Sequence, residues 1–177
     1  MYRQRLNGSI YERELVSILS GSQKTIRKIS KSLDFLSREA YEGLIANPFY
    51  VTRAAGSKGA DLLALRFDIS MVIEVKSSQN SKLTFASSSG KNQEQAERLA
   101  EKCHKSGLFL IYGFRLKGGD GESWRMFKVP GEPLGRYRNL YNILPEIEMT
   151  RNENFIMKWE SGLPLSELLK YLKEVLS

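Results

Sequence analysis

The chain is poor in the residues on which much small-molecule and redox chemistry rests. It has one cysteine, Cys103, and one histidine, His104, among 177 residues. An internal disulfide is impossible, and this economy of cysteine fits a reducing cytosol. A zinc cage of Cys and His ligands is excluded. A Ser-His-Asp or Cys-His hydrolase would rest on His104 alone, and its place at a predicted helix end suits a cap or surface role. No apolar run approaches the roughly 18 residues of a membrane span. The start, MYRQRLNGSIYEREL, is basic but has no apolar centre, so a secretory signal is not expected. Repeats and low-complexity stretches are missing too. With 41% apolar and 27% charged residues, the composition is that of an ordinary globular protein. One domain over residues 1–177 is expected.

What the chain does have is positive charge, unevenly placed. The net charge is +7 and the isoelectric point is about 9.5. Residues 1–38 carry eight Lys and Arg against three Asp and Glu, a net of +5, whereas residues 139–177 carry four against six, a net of −2. A basic front half points to a polyanion, nucleic acid first. A soluble basic protein with no such partner has the same charge.

The pattern predicts an α/β layered domain. Ile10, Leu15, Ile18 and Leu19 share one face of a helix, with Ser9 as N-cap and Gly21 as its stop. A helical stretch over about residues 23–46 follows, with Ile26, Ile29, Leu33 and Leu36 on one side and Lys24, Arg27, Lys28 and Lys31 on the other. Asn47-Pro48 ends it. Phe49–Thr52 reads as a strand and residues 55–59 as a turn. DLLALRF (61–67) and MVIEVK (71–76) read as an antiparallel hairpin, and residues 77–90 as a polar loop. A helix over residues 92–106, a buried strand LFLIYGFR (108–115), a turn at 117–121 and a half-buried strand SWRMFKV (123–129) come next. A helix over 165–176 closes the chain. Trp124, Phe127, Phe109 and Phe114 are expected in the core or at a dimer interface.

The chemistry-bearing candidates are Asp61 and the triplet Glu74-Val75-Lys76. A Glu-x-Lys triplet alone carries nothing: 16 Glu and 14 Lys in the chain make about one by composition. Context makes it informative. Glu74 and Lys76 end an apolar strand, where charge is costly without a partner. Two apart, they leave the same face. Depending on the hairpin register, Asp61 falls opposite Lys76 or opposite Glu74. Two carboxylates brought together repel unless a divalent cation lies between them, and such oxygen donors suit Mg²⁺, with Mn²⁺ an alternative. The Val75 carbonyl is a further candidate ligand. Lys76 would offset charge growing on a phosphoryl group. A salt bridge from Lys76 to Asp61 or Glu74 is the competing structural reading.

Asp61, Glu74 and Lys76 resemble the PD-(D/E)XK nuclease motif, with Ala60 at the prolyl position. More closely, YERELVSIL, FYVTRAAGSKGADLLAL and VIEVKSS are similar to the archaeal Holliday junction resolvases. The 92–106 helix, the LFLIYGF and WRMFKV strands and SGLPLSELLKYL follow in the same order. The resemblance implies a restriction-endonuclease-like nuclease core, a central mixed β-sheet flanked by helices. It implies a two-fold homodimer that cuts opposed strands of a four-way DNA junction with Mg²⁺. It assigns the first-helix catalytic and metal-binding glutamate to Glu12, the metal-binding aspartate to Asp61, and the strand glutamate and lysine to Glu74 and Lys76. It puts DNA-binding positions of an RxxGS loop on Arg53 and Ser57, with Lys58 following. By physics alone Glu12 and Glu14 are equivalent, since both suit the first turns of a helix. Arg3, Arg5, Lys82 and Lys91 are further candidates for phosphate contacts. The departure from the family is an insertion of roughly 25 residues near 22–48. Its basic side could extend the DNA track, or be a solvated helix face. Two other functions compete: the same hydrolytic core acting on a flap, nick or duplex target, and a DNA-binding relic without activity.

Overall fold

A computed structural model describes residues 3–54, 59–85, 91–118, 121–131 and 137–175. Ser57, Lys58 and the serine-rich stretch 87–90 lie outside the described residues, as does most of the turn at 55–59.

Three helices open the chain: α1 (Arg3–Leu19), α2 (Gln23–Ser30) and α3 (Phe35–Ala46). The single stretch expected over 23–46 is two helices. The break follows from Asp34, whose carboxylate accepts from Ser37 N–H at 3.0 Å and from Ser37 Oγ at 2.6 Å, so it caps a new helix. Restarting there turns the apolar face. Leu33 stays 9% exposed while Leu36 is left 59% exposed.

The strands β1 (Tyr50–Arg53), β2 (Leu62–Leu65), β3 (Ser70–Ser78), β5 (Phe109–Leu116), β6 (Trp124–Phe127) and β9 (Leu163–Pro164) form one sheet in the order β1-β2-β3-β5-β6-β9. Only β3 and β5 run parallel, so the sheet is mixed. Their crossover includes β4 (Lys82–Thr84) and α4 (Lys91–Lys105). Residues 77–90 are therefore not one loop: β3 runs on to Ser78, and β4 belongs to a second sheet. That sheet, of order β4-β8-β7, uses β8 (Phe155–Lys158) and β7 (Glu148–Met149), which follow the short helix α5 (Arg138–Ile143). Helix α6 (Leu165–Val175) ends the described chain.

Alternation along the strands divides the core in two. Met71, Ile73 and Ile111 pack against Leu15 and Ile18 of α1, Ile26 of α2, Leu44 of α3 and Leu168 of α6. Val72, Leu110, Tyr112 and Phe114 face Ala96 and Cys103 of α4, with Phe85, Phe155 and Met157 beside the second sheet. Trp124, Phe127, Phe109 and Phe114 are all buried, as core residues.

The β2–β3 turn sets the register. Arg66 N–H donates to Ile69 O at 2.9 Å, leaving Phe67 and Asp68 at the tip, and the Arg66 guanidinium clamps Asp68 through two bonds of 2.7 Å. Leu62 then pairs with Ile73 and Leu65 with Ser70. One step further, Asp61 falls across from Glu74, the second of the two registers open in the sequence.

Candidate active site

β3 changes character along its length. Met71, Val72 and Ile73 are buried apolar side chains. Glu74 follows, 4% exposed, on the face of Val72 and Tyr112. Glu74 Oε1 accepts from Lys76 Nζ at 2.7 Å, so the ion pair open as a structural reading is present. It satisfies half of the carboxylate. Oε2 is buried with no hydrogen-bond partner. An isolated buried carboxylate oxygen is costly, which makes this atom a candidate ligand position.

Asp61 stands beside it. Its backbone is held by Ala54 N–H donating to Asp61 O at 2.9 Å, and its Oδ2 accepts from Val75 N–H at 2.7 Å. Burial and the neighbouring Glu74 charge raise its pKa to about 6, against the Val75 hydrogen bond and the Lys76 charge, which lower it. Tyr112, which pairs in register with Glu74, has its hydroxyl pKa raised, by burial first and then by the charges of Glu74 and Asp61.

Glu12 comes from α1, on the opposite face of the sheet, and adds a small upward push to Asp61. Its Oε2 accepts from Arg53 Nε at 3.0 Å and Nη2 at 2.5 Å. Arg53, expected at DNA, is thus paired with Glu12, although its side chain stays 48% exposed. The structure separates Glu12 from Glu14: Glu14 Oε1 accepts from Arg115 Nε and from Trp124 Nε1, both at 2.8 Å, and so ties α1 to the sheet. Lys82 lies in the second sheet, exposed and across from Lys158. Arg3 and Arg5 fall at the start of α1 and Lys91 at the start of α4. Burial raises the Cys103 thiol pKa.

Asp61, Glu74 and Lys76 are therefore brought together, while Glu12 is paired with Arg53. Among the described residues no three Asp, Glu, His or Cys side chains stand ready to hold a metal ion. The pair Asp61 and Glu74 still fits a hard divalent cation: two carboxylates, one with an unpartnered buried oxygen, repelling each other at a strand end. Sequence reasoning did not single out the cations gathered beside α1. Arg115 and Lys117 stand over the Tyr11 ring, 5.4 and 5.6 Å from its centre. Their only signal is position: Arg115 lies near the end of β5, the parallel neighbour of β3, and Lys117 just beyond it.

A six-stranded mixed sheet with helices on both faces defines an α/β fold. Among solved structures, the chain is similar to the 1.6 Å structure of Archaeoglobus fulgidus Hjc, a Holliday junction resolvase from an archaeal hyperthermophile. The TM-score is 0.55 at 19% sequence identity, covering 93% of this chain and 96% of that one. The likeness is one of fold. No family model matches the chain, and no curated protein matches it in sequence.

Proposed function

We propose that the chain is a divalent-metal-dependent endonuclease that hydrolyses DNA phosphodiester bonds at four-way junctions. The observation that carries this reading is the buried, unpartnered Oε2 of Glu74, set beside Asp61 and the Lys76 ammonium. The fold shared with a Holliday junction resolvase supports the choice of substrate. Residues 1–177 would form one nuclease domain, with α2 and α3 as an insertion.

Asp61 and Glu74 would hold Mg²⁺ or Mn²⁺, with the Val75 carbonyl as a further ligand and Glu12 joining once Arg53 turns to a phosphate. A bound ion of this kind polarises a phosphoryl oxygen and lowers the pKa of a coordinated water. Lys76, held by Glu74 Oε1, keeps a positive charge where negative charge grows on the scissile phosphate. Arg53, half exposed, exchanges one carboxylate for another anion at little cost, since an exposed ion pair is weak. Arg3, Arg5, Ser57, Lys58 and Lys82 would contact flanking phosphates. Two chains around a two-fold axis would each supply one site and so pair the cuts.

The test is cleavage of a synthetic four-way junction beside duplex and flap substrates, with Mg²⁺ and with chelator. Junction cleavage that requires Mg²⁺ and is lost in Asp61→Asn supports the reading. Equal cutting of plain duplex would assign the same core to another DNA target. DNA binding without cleavage under any divalent ion would make the chain a relic.

A further inference from the structure

Helix α2 carries a charge pattern found on no other described helix. Its sequence, QKTIRKIS, has no acidic residue. Ile26 is fully buried and Ser22 caps the first turn, accepting from Thr25 N–H at 3.5 Å, so the helix is fixed by its inner side. On the outer side Lys24, Arg27 and Lys28 are exposed, and Lys31 follows at the C-cap. Among the described residues none of these four side chains has an ion pair or a hydrogen bond. Elsewhere, Lys105 of α4 pairs with Glu101 and Lys170 of α6 with Glu167. The four line a shallow hollow with Gln23, and Arg27 and Lys31 also line a second hollow with Ser30, Arg38 and the α3 acid Glu42. Ser30 Oγ is buried with no hydrogen-bond partner. Two of the four, Arg27 and Lys28, suit the last turn of any helix, but that account leaves Lys24 and the absence of acids unexplained.

The position of this face matters more than its charge. Ile26 belongs to the core on the Ile73 side of the sheet, whereas Glu74 and Lys76 stand on the Val72 side. The α2 face therefore lies across the sheet from Glu74 and Lys76. From Lys24 to Lys31 the helix rises about 10 Å, the length of about three phosphates on one strand of a duplex. We propose that this face of α2 is a second contact for duplex DNA, holding the phosphate backbone of an arm other than the one that reaches Asp61 and Glu74. The inference rests on the DNA-directed reading above and deepens it: a site and a remote grip on opposite faces select a branched substrate over a straight one.

The experiment compares the parent, the variant Lys24→Gln/Arg27→Gln/Lys28→Gln/Lys31→Gln, and a charge-matched control, Lys102→Gln/Lys105→Gln/Arg138→Gln/Arg151→Gln. Binding to a four-way junction and to one isolated duplex arm is measured against salt, with chelator present. The α2 variant is expected to lose tenfold or more on the junction and about 2–3 from the salt slope, with a smaller loss on the isolated arm. An unchanged slope, or an equal loss in the control, overturns the proposal. So does an equal loss on arm and junction, which would put α2 on the same track as the carboxylates. If the variant keeps DNA binding but loses binding to vesicles of anionic phospholipid, the face belongs to a membrane instead. Failure of the parent to bind any DNA would defeat the DNA-directed reading itself, which separates the two failures.

Discussion

Two pairs of acidic side chains sit partly or wholly out of water, and they are treated differently. Glu122 and Glu14 are satisfied. Glu122 Oε1 accepts from Tyr41 Oη at 2.8 Å and from Ser166 N–H at 2.6 Å, and its Oε2 accepts from Ser166 Oγ at 2.7 Å. Glu14 Oε1 accepts from Arg115 and Trp124. Glu122 joins α3 to the start of α6, and Glu14 joins α1 to β5 and β6. Asp61 and Glu74 repel each other, and one oxygen of Glu74 has no partner. The first pair holds the fold together. The second bonds to Val75 N–H and Lys76 but keeps a mutual repulsion and a bare oxygen that the fold does not need, the pattern expected of a candidate functional site.

The contrast predicts opposite outcomes from removing the two kinds of acid. The largest effect is expected for Asp61→Asn or Glu74→Gln: cleavage with Mg²⁺ falls roughly 1,000-fold or more, while chemical denaturation shows stability unchanged or improved. Near-parent cleavage rates in either variant would show the site to be misplaced. Glu122→Ala is expected to act the other way. It leaves Tyr41 and Ser166 without their acceptor and costs about 2–4 kcal/mol, read as a lower urea midpoint, and a stability equal to the parent's would break the comparison.

A third outcome concerns pH. Asp61 titrates near 6 in the folded chain against 3.8 for the ordinary group, so the folded state holds its proton more tightly than the unfolded state does. The destabilisation is full above pH about 6 and disappears as pH falls towards about 4. Without divalent ions, the parent should melt below Asp61→Asn at pH 7.5, with the gap closing through that window. A gap independent of pH would assign the cost elsewhere. The smallest effect is Asp34→Ala, which uncaps α3, far from the carboxylates, for about 1 kcal/mol. It should lower the denaturation midpoint slightly and leave metal binding alone.

Much of the sheet was legible because its strands carry apolar runs with clear stops. DLLALRF, MVIEVK, LFLIYGFR and SWRMFKV correspond to β2, β3, β5 and β6. The second sheet was not legible. Its strands are two to four residues long, and β4 finds β8 across more than 70 positions of chain. The split of α2 from α3 had a local signal, Asp34 three residues before Ser37, but the apolar spacing overrode it. At the candidate site, the shared face of Glu74 and Lys76 follows from the two-residue period of a strand. The register that brings in Asp61 depended on the Arg66–Asp68 clamp. The capture of Glu12 by Arg53 and the orphaned oxygen of Glu74 are tertiary facts, which no spacing contains.

The most direct measurement is a calorimetric titration of the chain with Mn²⁺, without DNA, for the parent and for Glu74→Gln. The account predicts saturable binding of at least one ion per chain by the parent and its loss in the variant. Equal binding by both proteins would contradict it, because the oxygen left unpartnered at the end of β3 would then have no ion to receive.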